Sequence, residues 1–600
     1  MSKFKIIVLL LVLNSTLVFS QNTITNVTNR NTTSLNGDWN YIVDPYETGY
    51  YSFHHDVLDQ QKEFQKSGYF SNYHPQNKQE LVEYDFDKSP KMTIPSDWNS
   101  KDEKLFYYEG TVWFKKSFDY NLNPNKRVFV YFGAVNYKAE VYLNGKKLGI
   151  HEGGFTPFYF EITNLIKEKD NFIVVKVDNT RKKDAVPTMN TDWWNYGGIT
   201  RDVVLFEEEN SFVADYSIQL KKEDKNTISG NIIIDNFNTT SNEITIKIPE
   251  LKIDKKLKLD SNNKVDFEIK ATKINYWSPE NPKLYDISIQ YNNQILKDKI
   301  GFRTIETKDG KILLNGNSVF LKGISIHEEN QSGRANSIED DERLLNWAKE
   351  LGCNYIRLAH YPHNENMVRL AEKMGLMIWE EIPVYWTIDF TNEATYKNAE
   401  NQLIEMISRD KNRCATIIWS VANETPTSNA RNIFLNNLIS KAKSIDDTRL
   451  ISAALLTRSE GLNSYIDDEI AQNLDIVAFN EYLGWYGGNL EDAEKIKWFS
   501  KYDKPVIVSE FGGDAKQGFY GEKNERWTEE FQEYLYVQNL KMIKKIPNIS
   551  GISPWILVDF RSPRRNLPEI QDGYNRKGLI SNEGKKKKAF YILRDFYSKK

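Results

Sequence analysis

From about residue 35 to residue 208, apolar and polar positions alternate in short runs such as "RVFVYFGAV", "KAEVYLNGKKLG" and "NFIVVKVDN". A period of two lets a strand bury one face, so this stretch predicts a β-sandwich. Asn144-Gly145 lies between two such runs and predicts a two-residue hairpin turn, because both positions tolerate positive φ. Residues of about 209 to 303 repeat the pattern on a smaller scale in "TISGNIIIDNF", "NEITIKIPEL", "KVDFEIKA" and "LYDISIQY". A unit of roughly 100 residues built this way fits an immunoglobulin-like sandwich. After Leu314-Asn-Gly316 the pattern changes to short apolar runs alternating with amphipathic helices, as parallel β/α units require. Strands are expected to begin near Val319, Cys353, Leu376, Ala415, Arg449, Leu474, Pro505 and Gly551, and that series closes naturally as a (β/α)8 barrel. In the first crossover Ser337 can cap a helix, Leu344, Trp347, Ala348 and Leu351 share one face, and Gly352 ends it.

The length of 600 residues accommodates these units, since domains run to roughly 100 to 200 residues each. Ahead of them, Met1-Ser-Lys-Phe-Lys, the apolar run Ile6 to Leu13 and Val18-Phe-Ser20 match the charged, apolar and cleavage regions of a signal peptide. The predicted division is a leader at 1–20, sandwiches at 21–208 and 209–303, and a barrel at 304–600. The leader's apolar run is shorter than the roughly 20 residues that span a bilayer, so a membrane anchor is not expected. The Lys/Asn/Ile-rich composition points to a bacterial host, and export then implies the periplasm. With 79 Lys+Arg against 83 Asp+Glu and no basic block, nucleic acid is not an expected ligand. Cys353 and Cys414 are the only cysteines, so stability must come from packing rather than a disulfide framework. The composition is compatible with a homo-oligomer and does not require one.

Barrel enzymes carry their catalytic groups at the C-terminal ends of the strands. Two carboxylates stand there: "ATIIWSVANE" ends in Asn423-Glu424, and "KPVIVSEFGG" carries Glu510. Either alone could be a salt-bridge partner. On the fourth and seventh strands, however, they can face each other across one pocket, as a retaining glycosidase requires. One group would attack the anomeric carbon and the other would protonate the leaving oxygen. Glu424 is then expected to hold its proton, and Glu510 to stay ionised with help from a cation or hydrogen-bond donors.

The sequence resembles glycoside hydrolase family 2 over nearly its whole length after the leader, in the words "LNGDW", "VYLNGKKLG", "NYGGITR", "GFRTIE", "LGCNYIRLAHYP", "WSVANE" and "VSEFGG". The resemblance implies a jelly-roll sandwich, an immunoglobulin-like sandwich and a TIM barrel in that order. It implies Glu424 as acid/base, Glu510 as nucleophile, Asn423 as donor to the sugar 2-hydroxyl, and Arg357 as the cation beside the nucleophile. No cofactor is implied. Within the family the sequence looks like the β-glucuronidases, chiefly in "EYLGWY" and "NRKG". In those enzymes an Asn-x-Lys pair grips the C6 carboxylate, and Asn575 and Lys577 match it. Asp192, His327, Tyr482, Tyr486 and Trp555 match other positions that bind substrate, Asp192 from the first sandwich. The implied activity is exo-cleavage of a terminal β-linked uronic acid from an oligosaccharide or glycoconjugate.

The sequence departs from that pattern in two places. Gln571 stands where an Arg precedes the Asn-x-Lys pair, leaving Arg561, Arg564 or Arg565 to replace it. The segment from about Tyr385 to Asn401 is short where some β-glucuronidases carry a long lid, which would admit the end of an oligosaccharide. His360 and His363 flank a Tyr-Pro turn rather than sharing a helix face, so no metal site is expected. Two other readings stay open: a β-galactosidase or other neutral-sugar β-glycosidase of the same family, and a carbohydrate-binding protein on an inactive barrel.

Overall fold

The computed structural model describes residues 24–236 and 242–599, so the leader lies outside the described residues. The first unit packs a four-stranded sheet, in the order Thr32–Ser34, Val203–Glu208, Arg127–Phe132 and Phe158–Glu161, against a six-stranded one. The six run Lys91–Ile94, Gly37–Val43, Thr111–Phe118, Asn171–Asp178, Lys138–Leu143 and Lys146–Glu152. Trp39, Phe114, Val130, Val141 and Val175 fill the space between the sheets. Asn144 at φ 52° and Gly145 at φ 79° make the expected hairpin turn. One feature was not expected. Residues 44–90, which lack long alternating runs, cover the outer face of the larger sheet and bury Trp113, Tyr142 and Val174 beneath Phe70, Tyr84 and Phe86. Strands such as Lys138–Leu143 are therefore buried on both faces.

Among the described residues the second unit has seven strands: Ser211–Leu220, Thr227–Asn236 and Lys264–Lys270 in one sheet, and Ile253–Lys258, Glu243–Ile248, Tyr285–Tyr291 and Gln294–Ile300 in the other. Along Tyr285–Tyr291 the odd-numbered residues are buried and the even-numbered ones more open, the alternation of a strand with one face to the core.

The barrel strands after the first are Tyr355–Leu358, Met377–Glu381, Thr416–Asn423, Leu450–Leu455, Val477–Asn480, Val506–Glu510 and Ile549–Ile552, all parallel. The first strand comes in two pieces: Leu321–Lys322 pairs with the last strand and Ser325–Ile326 with the second, so the sheet closes on itself. Gly323 lies at the break, where a Cβ would stand 2.3 Å from the Tyr355 ring and 2.7 Å from the Ile552 carbonyl. The first crossover helix, Ile338–Leu351, starts in a Ser337 capping box and ends at Gly352 with φ 90°. Helices Glu365–Met374, Glu393–Asp410, Asn429–Ile445, Glu529–Ile543 and Lys588–Ser598 follow strands two, three, four, seven and eight. The expected alternation fails after strands five and six, where 3-10 turns and a small sheet of Arg458–Glu460, Asn463–Ile466 and Lys497–Ser500 take the place of helices. Among the described residues no helix is long and apolar enough to cross a membrane.

The first sandwich sits on the upper end of the barrel. Arg201, from "NYGGITR", donates to Glu328 Oε2 at 2.8 Å and to the Pro362 carbonyl at 2.7 Å, just past the first and second strands. That lock brings Asp192 and Trp193 over the strand ends.

Candidate active site

Glu510 ends the seventh strand and is 4% exposed. Its Oε1 accepts from Arg357 Nη1 at 2.8 Å, and its Oε2 from the Tyr482 hydroxyl at 2.6 Å. Arg357, on the second strand, is fully buried. Its Nη2 also donates to Asn423 Oδ1 at 2.7 Å, and Asn480 Nδ2 donates to the same oxygen at 3.3 Å. Two donors on Oδ1 fix the orientation of the amide, so its Nδ2 is buried with no partner in the protein. An unsatisfied buried donor is costly, and this one is available to a substrate hydroxyl.

Glu424 follows Asn423 in a left-handed conformation, φ 49°. A glutamate rarely adopts it, and here it turns the side chain out of strand alternation so that Oε2 accepts from Trp386 Nε1 at 2.8 Å. The charge of Glu424 is one of the influences that raise the Glu510 pKa.

A polar group lies beside this pair. Asp192 accepts at Oδ1 from Ser562 Oγ at 2.7 Å and Arg565 Nε at 3.1 Å, and at Oδ2 from Arg565 Nη2 at 2.6 Å and Asn575 Nδ2 at 2.9 Å. Lys577 is 1% exposed; its Nζ pairs with Asp514 Oδ1 at 2.8 Å and donates to the Tyr486 hydroxyl at 3.0 Å. Arg565 Nη2 reaches the same hydroxyl at 3.2 Å. Burial works against the Lys577 charge, but Asp514, Tyr486 and Asp192 together outweigh it and raise the ammonium above its ordinary pKa. The rings of Tyr486 and Tyr482 meet edge to face at 5.1 Å. A continuous chain of contacts thus runs from Lys577 through the two tyrosines to Glu510.

An aromatic wall closes the other side. Trp555 stacks on His360 at 4.7 Å, and His327 meets Phe560 at 4.2 Å. His327 Nδ1 pairs with the Tyr361 hydroxyl at 2.9 Å while Nε2 is buried without a partner. Burial first, then His360, Arg334 and other nearby cations, hold His327 well below its ordinary pKa, so it is neutral. Among the described residues no group of three or more His, Cys, Asp or Glu side chains is placed to hold a metal ion.

All eleven expected site residues therefore belong to one linked set of contacts at the strand ends, but one electrostatic expectation is corrected. Glu510 was expected to stay ionised. Instead burial pushes its carboxyl up to about 8, with Arg357 opposing and Glu424 adding to the rise. The cation is divided: Arg357 also donates to Glu381 through Nε at 3.2 Å and Nη2 at 2.9 Å. Burial disfavours the Glu381 charge too, yet Arg357 and His360 outweigh it and hold that carboxyl at about 2. Sequence reasoning missed Glu381, although "WEE" at the end of the third strand carried the signal. It also missed Asp514, Trp386 and Asn480. Of the three candidate arginines, Arg565 lies beside Asp192 and Tyr486, whereas Arg561 lies over Phe106 and Tyr574 and Arg564 over Trp386. Gln571, at the departure from the usual Arg, donates to Asp514 Oδ2 at 3.2 Å.

A closed β/α barrel with two glutamates at the ends of its fourth and seventh strands, topped by a sandwich that lends an aspartate, defines a glycoside hydrolase site. Family models agree: "Glycosyl hydrolases family 2, sugar binding domain" matches residues 32–209, "Glycosyl hydrolases family 2" residues 211–303, and "Glycosyl hydrolases family 2, TIM barrel domain" residues 305–600. The chain belongs to glycoside hydrolase family 2. It is 27% identical over 564 residues to a β-glucuronidase of Streptococcus agalactiae, covering 83% of this chain and 90% of that one. Human β-glucuronidase is 26% identical over 573 residues, 85% of each chain. Among solved structures, the β-glucuronidase of an uncultured Clostridium sp. superposes with a TM-score of 0.81 at 25% identity, covering 96% of this chain and 99% of that one.

Proposed function

We propose that the protein is a retaining, exo-acting β-glucuronidase. The observation that carries the reading is the placement of Lys577, Asn575 and Arg565, a fixed set of donors joined through Tyr486 and Tyr482 to Glu510. A uronate carries its carboxylate on the same ring as its anomeric carbon, so the two must be read together. An ammonium and a guanidinium suit a carboxylate and have no counterpart in the needs of a neutral hexose. In this reading Asp192, His327 and Trp555 shape the ring's other contacts, and Asn423 Nδ2 donates to the 2-hydroxyl.

The reaction runs in two displacements. Glu510 as carboxylate attacks C1 while the bond from C1 to the leaving oxygen breaks and Glu424 gives that oxygen its proton. Glu424 then takes a proton from water, the water oxygen bonds to C1, and the ester to Glu510 breaks to restore the carboxylate. The cycle needs one proton on the pair of carboxyls. With Glu510 raised to about 8, that carboxyl holds a proton at neutral pH in the free enzyme. An incoming sugar, with positive charge developing at C1, favours its residence on Glu424.

The test is Lys577→Ala, assayed on a β-glucuronide and on a neutral β-glycoside. Glucuronide turnover should fall by at least about 10²-fold more than that of the neutral substrate. An equal loss on both would make Lys577 structural. For location, the leader motif supports export to a bacterial periplasm, and the distribution of the protein between periplasmic and cytoplasmic fractions tests it.

A further inference from the structure

The loop after the eighth strand sends two neighbouring arginines to different places. Arg565 reaches Asp192 and Tyr486, whereas Arg564 is exposed and sets its guanidinium 4.8 Å from the centre of the Trp386 ring. That indole is the one that donates to Glu424. The adjacent Arg565 is neutralised by Asp192. Among the described residues Arg564 forms no ion pair, its backbone N–H alone being held by Ser562 Oγ. The connection that carries Trp386 is short, with only residues 382–392 between the third strand and the helix Glu393–Asp410.

An unpaired guanidinium resting on an indole keeps its planar set of N–H donors for an oxyanion. The indole offers an apolar face to the C–H face of a sugar. If Glu424 protonates the leaving oxygen, as proposed above, the group attached to that oxygen must leave past Trp386 and Arg564. We infer that these two side chains form the leaving-group subsite, and that it takes a saccharide bearing a sulfate ester or a carboxylate on the sugar next to the scissile bond. The inference rests on the glucuronidase reading and adds the substrate's second residue to it.

The test compares wild type and Arg564→Ala on three glucuronosyl disaccharides whose second sugar is neutral, sulfated or a uronic acid, with a chromogenic β-glucuronide as reference. Wild type should favour at least one anionic disaccharide over the neutral one by about tenfold in kcat/KM, mostly through KM, the gain of one charge-assisted contact. In the variant that preference should shrink to about twofold or less, the residue of a rim charge. Preference for the sulfated or for the uronic acid substrate identifies which oxyanion is read. An equal loss on all three disaccharides would show that Arg564 merely braces Trp386 and would overturn the inference. So would wild-type turnover of the chromogenic glucuronide without preference for either anionic disaccharide. Failure on every glucuronide would instead overturn the glucuronidase reading, and this inference with it.

Discussion

Replacing Glu510 by Gln removes a buried titrating group from the end of the seventh strand. An exposed glutamate titrates near 4.5, whereas burial holds Glu510 at about 8 in the folded protein. Because the folded pKa is the raised one, the favourable contribution is fully present below 4.5, declines as pH rises, and is lost once pH passes 8. Holding the carboxyl neutral at pH 7 while the unfolded chain ionises costs about 3 kcal/mol at roughly 1.4 kcal/mol per pH unit. Above pH 8 the cost levels off at about 5 kcal/mol. Glutamine has the same shape, keeps an oxygen for Arg357 Nη1, and never ionises. Glu510→Gln should therefore be about as stable as wild type near pH 4.5 and more stable at pH 7, by about 2 to 3 kcal/mol once the weaker bond to Arg357 is allowed for. The advantage should grow further by pH 9. Urea unfolding of both proteins at pH 5, 7 and 9 measures it, while turnover by the variant should fall by at least about 10³-fold. A variant that is less stable than wild type and shows no pH trend would refute the reasoning, and would mean that Arg357 keeps Glu510 ionised despite Glu381.

The same titration predicts that kcat/KM on a glucuronide falls as pH rises through about 8, where Glu510 in the free enzyme gives up the proton that catalysis needs; a flat profile to pH 9.5 would contradict it. Lys577→Met removes the ion-pair partner of buried Asp514 and leaves Arg565 to offset its charge, so it should destabilise the protein by at most about 3 to 5 kcal/mol. Adding Asp514→Asn should recover most of that loss, as a double-mutant cycle in denaturant would show. Asp192→Ala strips one acceptor from each of Ser562, Arg565 and Asn575. It should lower kcat/KM by at least about tenfold and raise KM, because these donors then no longer hold one geometry.

Much of this architecture was legible in the sequence, because the barrel strands are buried on both faces and read as apolar runs between helices. Asn144-Gly145 and the Ser337 capping box were legible because each is a local device whose chemistry needs no distant partner. The covering of the first sandwich by residues 44–90 was not, since its aromatic residues find their partners on strands up to about a hundred residues away. Nor was the loss of helices after strands five and six, where apolar segments such as Ile466 and Trp498 pack on the barrel core without a helical period. In the site, Glu424 and Glu510 announced themselves by ending strands. Glu381 did not, because only the parallel register of the second and third strands, with Leu358 opposite Glu380, places it on Arg357. The balance of charge around Glu510 is a property of that register. No local motif records it.

The central claim is that Lys577, Asn575 and Arg565 select a uronate for the two glutamates to cleave. Wild-type kcat/KM values for a chromogenic β-glucuronide and the matching β-galactoside, measured side by side, test it most directly. The account predicts that the glucuronide is favoured by at least about 10³-fold, because only a uronate brings a carboxylate that the ammonium and guanidinium can hold by charge-assisted hydrogen bonds. A galactoside cleaved as fast as the glucuronide, or faster, would contradict it.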